Sequence, residues 1–470
     1  MFKIMFKDRF IIVLFLVAVL SGLLWGSKIF GQPLLEGGNE NFYNDIANNI
    51  LKHSRLVADK NDLAAVSEPF YSIFLAGVYV FFGKDNFDAV RLIQILFFSL
   101  AVLIIYLLAK EIMDNKSAKI TGLFAALFFP LASSAHQFTR ETLFAFLIIL
   151  LIYFLYKAQG TFPPRVDQFQ AGKIQWFIFS GIMLGLATLT NAIAQFFIVF
   201  VIFGFLLTLQ KDFFKRDILV KMGAFVLFFA IIVGAWSFRD FGRGPKALNL
   251  KAGSILSRKA EMMENVRGED YLRHFGGQLL GYYFFEKDDF NPSMLLGMPQ
   301  TSKIYYGMWR AGESLEQINK KLSEDNLKMI IGSPLRYFTI SFLDFLQFNG
   351  LMLPNPETFE PSPGQNLFIK NSHAGIPAVI KIIILLGIRA AYWLFFGFMI
   401  YGLIMGAKNW KKFCWPILII LYFNFAYAAT FGIPRYSIPI YPFYIIFFVY
   451  GTNIFFGRLK ISKDTSFNVA

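Results

Sequence analysis

Long apolar runs, separated by short polar and basic stretches, cover most of the chain. Ten of these runs are long and apolar enough to cross about 30 Å of hydrocarbon as helices, which takes about 20 residues each. They lie near residues 10–30, 89–109, 118–135, 142–157, 176–191, 193–210, 219–238, 383–406, 413–431 and 439–457. Since a helix satisfies its own backbone hydrogen bonds in lipid, the pattern predicts an all-α polytopic membrane protein with about ten transmembrane helices.

Two segments between predicted spans, near residues 31–88 and 239–378, are too long to be simple connectors. Loops of this length in a compact protein usually carry function. In the first segment, apolar residues at helical spacing predict an interfacial helix over Asn41–His53. A short, partly buried helix is predicted over Glu68–Phe82, ending at Gly83.

The spans and long segments divide the chain into three predicted parts. Residues 1–238 form an N-terminal membrane module, and its first long loop is expected to carry catalysis. Residues 239–378 form a large loop with interfacial helices, one of them over Met329–Phe348. Residues 379–470 form the C-terminal membrane helices.

Lysine and arginine are distributed unevenly between alternate loops. They cluster before the first predicted span and after the second, fourth, sixth, eighth and tenth. Basic loops remain in the cytoplasm, so this bias predicts cytoplasmic termini and places both long segments on the outer face. Charges spread over inner loops that face anionic lipid also account for most of the +14 net charge, so no nucleic-acid partner is predicted.

The amino-acid composition is that of a membrane protein. Apolar residues make up 56% of the chain and charged residues 16%, and 59 of the 470 residues are Phe. A soluble chain with so few charges could not cover its core with polar surface. The single cysteine, Cys414, excludes a disulfide framework and a thiol metal site.

Several short motifs follow one another along these predicted elements. They are Asn39–Ala47 after the first span, Glu68–Ala76 with Tyr79 and Gly83, Arg91–Gln94, Thr139–Leu143, Gly185–Thr190 and Pro434–Pro439. In this order and topology they resemble the GT-C superfamily of membrane glycosyltransferases, which includes protein mannosyltransferases and the aminoarabinose transferases of lipid A. The resemblance covers most of the chain. It implies transfer of a sugar from a polyprenyl-phosphate donor to an acceptor hydroxyl or amine.

One position departs from the pattern of the family. Many relatives place an acid four residues before the tyrosine that matches Tyr43, and this chain has Asn39 there. Only the adjacent Glu40 can substitute for that acid. Because of this departure, the alternative that the chain is a non-catalytic relative that binds a lipid-linked sugar stays open.

Attack of an acceptor on the anomeric carbon needs a general base, and a carboxylate in a partly desolvated cleft suits that task. Glu40, just beyond the first predicted span, is the first candidate, and Asp45 is the second. Tyr43 follows Glu40 by about one helical turn and is expected to orient it. The alternative interpretation of Glu40 is a solvated acid that favours the positive end of a helix dipole.

The leaving group is a phosphate, so positive charge is needed where negative charge develops, and the arginine fork matches phosphate oxygens. Cations at the outer ends of spans oppose the charge bias, which favours a function over membrane anchoring. Arg239 and Arg435 are expected to face one cavity beneath the first long loop. Further cations near this surface are Arg140, Lys84 and His136.

The complete set of predicted substrate-binding residues is Tyr43, Tyr71, Arg140, Glu141, Arg239, Arg435 and Tyr436. Glu141 has two structural alternatives, a dipole-favoured helix cap and an ion-pair partner for Arg140. No Asp-x-Asp pair occurs in the first long loop, so no metal or other cofactor is predicted to be required.

The sequence therefore predicts an inverting hexosyl- or pentosyltransferase on the outer face of the plasma membrane. Its expected partners are a polyprenyl-phosphate sugar, a glycan, lipid or protein acceptor, and membrane lipids. A transporter or flippase of lipid-linked sugars is the competing class. The asymmetric long loops and the lack of an internal repeat argue against that class.

Overall fold

In the computed structural model, the described residues are 8–26, 39–53, 68–160, 172–239, 259–266, 268–280, 315–350 and 378–466. They form α-helices joined by turns and short 3₁₀ segments, and no β-strand occurs among these residues. The prediction of an all-α membrane fold is confirmed.

The longer helices are numbered α1 to α16 in chain order. They are α1 (Arg9–Gly26), α2 (Asn39–His53), α3 (Phe70–Phe82), α4 (Phe87–Ile112), α5 (Asn115–Leu127), α6 (Phe129–Ser134), α7 (Glu141–Gln159), α8 (Ile174–Thr190), α9 (Phe197–Leu209), α10 (Arg216–Arg239), α11 (Gly268–Leu280), α12 (Leu315–Gly332), α13 (Pro334–Phe348), α14 (Ala378–Ala407), α15 (Trp410–Ala429) and α16 (Tyr441–Ser466). Among the connections, Ala192–Phe196, Gln210–Phe214 and Pro434–Ser437 are 3₁₀ segments.

Seven stretches of the described residues are helical, apolar and long enough to cross a membrane. They are Arg9–Gly26, Phe87–Ile112, Glu141–Gln159, Ala192–Phe214, Arg216–Phe238, Ile383–Ala407 and Trp410–Ala429. Each coincides with a span predicted from the sequence. The predicted spans 176–191 and 439–457 correspond to the shorter apolar helices Ile174–Thr190 and Tyr441–Gly457. The chain is therefore a multi-pass membrane protein.

The span predicted over 118–135 is not a continuous helix. It consists of α5 and α6, and Phe128 between them has an extended backbone with ψ of 107°. Pro130 lies in the first turn of α6, where a backbone N–H needs no intrahelical partner. The same proline could not continue the hydrogen bonds of α5, because it has no N–H to donate.

The interfacial helix predicted over Met329–Phe348 is also divided. Helix α12 ends at Gly332 and α13 begins at Pro334, and the two helices meet at an angle of 103°. Proline suits the first position of α13 because its fixed φ is already helical. The apolar pattern continues across this break, so the sequence pattern alone did not separate the two helices.

The chain forms two compact units. The described residues of Met1–Trp236, Phe395–Tyr422 and Ile438–Ala470 belong to the first unit, and those of Ser237–Leu394 and Phe423–Ser437 belong to the second. Each unit contains its own buried apolar residues. In the second unit they include Met262, Met263, Val266, Ile340 and Leu343.

Glycine allows two helices of the first unit to approach closely. A Cβ on Gly402 of α14 would lie 1.9 Å from the carbonyl oxygen of Phe447 in α16. A Cβ on Gly451 of α16 would lie 2.2 Å from the carbonyl oxygen of Phe398 in α14. Small residues at such crossings bring the backbones of membrane helices into contact.

Candidate active site in the first unit

Helices α2 and α3 of the first long loop are joined by side-chain hydrogen bonds. The Tyr79 hydroxyl donates to Asn44 Oδ1 over 2.6 Å. Asn48 Nδ2 donates over 2.9 Å to Asp85 Oδ1, in the turn that follows α3. Helix α3 ends where predicted, because Gly83 has a φ of 95°, a conformation that glycine adopts without strain. Both helices predicted in this loop are confirmed.

A polar network then connects α2 to the loop that precedes α7. The rings of Tyr43 and Tyr71 meet edge to face with their centroids 5.0 Å apart. The buried Tyr71 hydroxyl donates to Gln94 Oε1, and Gln94 Nε2 donates to the carbonyl oxygens of Ala135 and Gln137, each over 3.0 Å. Because buried polar groups bonded in this way are costly to move, the network fixes the orientation of the Tyr71 ring.

Arg140 lies at the end of the same loop and forms an ion pair with Glu68. The distance from Arg140 Nη1 to Glu68 Oε2 is 2.6 Å, and their side chains are only 13% and 7% exposed. Glu68 Oε1 also accepts a hydrogen bond from the Ala192 backbone N–H over 3.1 Å. The carboxylate thus joins the start of α3, the start of α7 and the turn after α8. Glu141 follows Arg140 as the first residue of α7 and is 4% exposed.

Two further basic residues near this network, Arg91 and His136, have structural contacts. Arg91 is 3% exposed, bonds to Asp88 Oδ1 over 2.8 Å and places its guanidinium carbon 5.5 Å from the centroid of the Phe138 ring. His136 Nε2 lies 2.5 Å from the carbonyl oxygen of Gly22. Burial lowers the pKa of His136, so the ring is neutral at pH 7. Its position beside α1 favours a structural role.

Two carboxylates, Asp45 and Asp85, lie beside this network, and the charge of Asp85 acts on Asp45. Although Asp45 is largely exposed, desolvation raises its pKa and the charge of Asp85 adds to the shift. Desolvation also raises the pKa of Asp85, but hydrogen bonds from Asn48 and Asn44 outweigh it and leave that pKa lowered. Asp45 is therefore the more basic carboxylate of the two, as a proton acceptor should be.

Arg435 and Tyr436 belong to the second unit, in the 3₁₀ segment Pro434–Ser437. The guanidinium carbon of Arg435 lies 5.5 Å from the centroid of the Tyr436 ring. That ring stacks on Tyr427 with a centroid distance of 5.1 Å. Because the Tyr436 ring contacts both Arg435 and Tyr427, it limits the conformations of the segment that carries Arg435.

Two predicted site residues have side chains outside the described residues. Glu40 lies in the first turn of α2, and Arg239 is the last residue of α10. The contacts of both side chains, and the cavity expected between Arg239 and Arg435, stay predictions. Among the described residues, no group of three or more His, Cys, Asp or Glu is arranged to hold a metal ion.

Sequence reasoning missed the roles of Glu68 and Gln94, although both occur in the motifs that carry the resemblance. Their partners lie far away in the sequence, since Arg140 is 72 residues from Glu68 and Ala135 is 41 residues from Gln94. The sequence did carry one sign of these roles, which is that a carboxylate and an amide occur next to or within apolar helices. Such polar groups are buried only with a partner.

Residues 66–236 match the model of a protein family described as dolichyl-phosphate-mannose-protein mannosyltransferase. The matched stretch contains Glu68, Arg140, Tyr71 and Gln94, and thus most of the network described above. No curated protein matches the chain in sequence.

The fold is similar to that of a solved archaeal oligosaccharyltransferase. The apo form of the oligosaccharyltransferase of Archaeoglobus fulgidus matches with a TM-score of 0.50 and 14% identity, over 99% of this chain and 52% of that chain. AglB of the same organism, in complex with an inhibitory peptide and a dolichol-phosphate, matches with a TM-score of 0.46 and 14% identity, over 99% and 52%. ArnT from Cupriavidus metallidurans bound to undecaprenyl phosphate has a TM-score of 0.40 and 16% identity, over 94% and 76%.

The chain spans about half the length of the archaeal oligosaccharyltransferase that it matches. The similarity nevertheless covers nearly all of this chain, and the match to the mannosyltransferase family covers residues 66–236. The fold that the resemblance implies is confirmed. The protein is a multi-pass membrane protein whose fold is similar to that of the archaeal oligosaccharyltransferase.

Proposed function

We propose that this chain transfers a sugar from a polyprenyl-phosphate donor to an acceptor hydroxyl or amine at the outer membrane–water interface. The observation that carries this proposal is the match of residues 66–236 to a family described as dolichyl-phosphate-mannose-protein mannosyltransferase. That stretch includes the buried Glu68–Arg140 pair and the Tyr71–Gln94 contact. The GT-C fold supports the same class of reaction.

The reaction exchanges one bond for another at the anomeric carbon. The acceptor oxygen or nitrogen attacks this carbon while a carboxylate takes its proton, and the bond from the carbon to the phosphate oxygen breaks. The polyprenyl phosphate leaves as a stable anion, so no strong general acid is needed. A single displacement from the opposite side inverts the anomeric configuration.

Glu40 is the proposed general base, and Asp45 is the alternative. Both belong to α2, which begins at Asn39, and Tyr43 lies between them on the same helix. The raised pKa of Asp45 makes it a better proton acceptor than an ordinary aspartate. Tyr43 is proposed to face the donor sugar. Tyr71 is fully buried, so its proposed role is to hold the Tyr43 ring through their edge-to-face contact rather than to touch the sugar.

The arginines are proposed to stabilise the negative charge that develops on the departing phosphate. A guanidinium has five N–H donors in a fixed fork, and the contact of Arg140 with Glu68 engages Nη1. Glu68 therefore orients the fork of Arg140. Arg239 and Arg435 are the other proposed phosphate contacts. Tyr436 holds the Arg435 guanidinium by stacking, and Glu141 supplies a counter-charge beside Arg140.

Deletion of the gene, followed by mass spectrometry of surface glycans and membrane lipids, tests this function. We expect one sugar to disappear from a surface glycan, lipid or protein, while its polyprenyl-phosphate donor accumulates. Complementation with the wild-type gene should restore both. Unchanged glycan and donor-lipid profiles in the deletion strain would contradict the proposed function.

A further inference from the structure

A lysine and an aspartate are enclosed together in the second unit. The side chain of Lys259 is 1% exposed and that of Asp344 is 0% exposed, and the ammonium bonds to the carboxylate. Removing two charges from water has a large desolvation cost, and their mutual attraction often does not repay it. The pair is therefore weak evidence for stability. Its other hydrogen bonds show which part of the chain it positions.

The Lys259 ammonium also bonds to the end of α15. Its Nζ donates to the carbonyl oxygen of Ala428 over 2.7 Å and lies 5.6 Å from the centroid of the Tyr337 ring. The Tyr337 hydroxyl in turn donates to the carbonyl oxygen of Ala429 over 2.8 Å. The last carbonyl groups of a helix lack intrahelical partners and attract positive charge. Lys259 and Tyr337 thus fix the position at which α15 ends.

Asp344 holds the chain just beyond this helix end. Its Oδ1 accepts a hydrogen bond from the Gly432 backbone N–H over 3.4 Å. The backbone at Gly432 lies so close to α13 that a Cβ there would be 2.3 Å from the carbonyl oxygen of Asp344. Hydrogen bonds to the ion pair therefore hold both ends of segment 428–432, at Ala428 and at Gly432.

The segment that carries Arg435 follows directly. Arg435 is three residues beyond Gly432, in the 3₁₀ segment Pro434–Ser437. The neighbouring Tyr436 stacks on Tyr427, and Tyr427 stacks on Phe348 of α13 with a centroid distance of 4.9 Å. The position of Arg435 is thus determined by contacts to α13 on both sides of the segment 428–432.

We infer that Lys259 and Asp344 are positioning residues that fix segment 428–432 and thereby orient Arg435 toward the donor phosphate. Neither residue contacts substrate in this account. That Arg435 faces the phosphate rests on the proposed function. That the pair fixes segment 428–432 follows from contacts within the second unit alone.

The double variant Lys259→Met/Asp344→Leu tests this inference, because it removes both charges at similar volume and leaves neither charge buried without its partner. Amide hydrogen exchange over residues 428–436 should become about tenfold faster or more, with α11 unchanged. The apparent dissociation constant for radiolabelled polyprenyl-phosphate mannose should rise about tenfold, as expected for a lost charge-assisted bond. Adding Arg435→Ala should raise it no further, since both changes remove the same interaction.

The matched control is Arg273→Met/Glu269→Leu, which removes an ion pair of the same unit whose glutamate is 83% exposed. This control should leave both exchange and donor affinity unchanged. Wild-type exchange over 428–436 and wild-type donor affinity in the folded double variant would overturn the inference. If the double variant does not fold, Gly432→Ala displaces the same contact without substituting either residue of the pair. It should give the same two changes, and normal exchange and affinity would again overturn the inference.

Arg435→Ala alone separates this inference from the proposed function. If Arg435→Ala binds the donor normally while the double variant loosens residues 428–436, the phosphate contact is wrong and the positioning of the segment stands. If both Arg435→Ala and the double variant weaken donor binding and their effects do not add, the phosphate contact of Arg435 and the positioning of the segment are both supported.

Discussion

Arg140 forms an ion pair with the buried Glu68. Its positive charge has two explanations, an anchor for the fold and a contact to phosphate. An anchor for the fold needs only the ion pair with Glu68. A phosphate-binding residue needs the pair to orient the guanidinium and also needs the positive charge itself. Removing one charge or both charges gives different results under the two explanations.

Arg140→Ala leaves the Glu68 carboxylate buried without this partner, so we expect the first unit to lose about 3–5 kcal/mol of stability. The double variant Arg140→Met/Glu68→Leu should recover most of that loss, because the Glu68 carboxylate is no longer buried without its partner. Thermal unfolding in detergent micelles measures both effects. If Arg140 binds phosphate, the folded double variant should transfer sugar about tenfold more slowly or worse. A double variant with wild-type transfer would make Arg140 a structural anchor.

Glu40 is the residue on which the chemistry of the proposal depends most. Glu40→Gln keeps the size and polarity of the side chain and removes its ability to accept a proton. We expect normal folding and donor binding, with transfer reduced about 100-fold or more. Asp45→Asn is the comparison and should have a smaller effect. Wild-type transfer by Glu40→Gln would place the base elsewhere, or would show that Asn39 marks a protein without this chemistry.

At the scale of the helices, the contact between α14 and α16 depends on the absence of a side chain at Gly402. A methyl group there would lie 1.9 Å from the carbonyl oxygen of Phe447, which is backbone and cannot rotate away. We expect Gly402→Ala to cost about 1–3 kcal/mol and to lower the midpoint of thermal unfolding. Gly397→Ala on the same helix is the control, because nothing lies within 4 Å of its Cβ position. Equal midpoints for the two variants would contradict this account of the packing.

The helices of the first long loop were predictable because their signals are local. The apolar residues of α2 recur at helical spacing, and Gly83 ends α3 with a positive φ. The break between α5 and α6 was missed because hydrophobicity continues through Phe128. Pro130, two residues later, was the local sign of that break.

The partners of buried charged side chains were not predictable in the same way. Glu68 and Arg140 are 72 residues apart, and Lys259 and Asp344 are 85 residues apart. A single sequence indicates which residue types are costly to bury, but not which of many distant groups will compensate each one. The motifs identified the regions of the site, and the fold was needed to pair their side chains.

For the whole molecule, the charge bias predicts which face carries the site. In a Cys414→Ser background, single cysteines near Asn61 or Pro361 should react with an impermeant thiol reagent on intact cells. Cysteines near Lys116 or Lys211, in the loops that the bias assigns to the cytoplasm, should react only after the cells are opened. Labelling near Lys116 from outside would invert the topology and put the proposed site on the wrong face.

The central claim is that this membrane protein transfers a sugar from a lipid phosphate. The most direct measurement follows radiolabelled polyprenyl-phosphate mannose in proteoliposomes that contain the protein and a membrane extract as the source of acceptor. We expect the label to move from the lipid to an acceptor, with release of polyprenyl phosphate and with far slower transfer by Glu40→Gln. Label that crosses the bilayer but stays on its lipid would identify a transporter, and donor that binds without any transfer would identify a non-catalytic relative. Either of these two results would contradict the account.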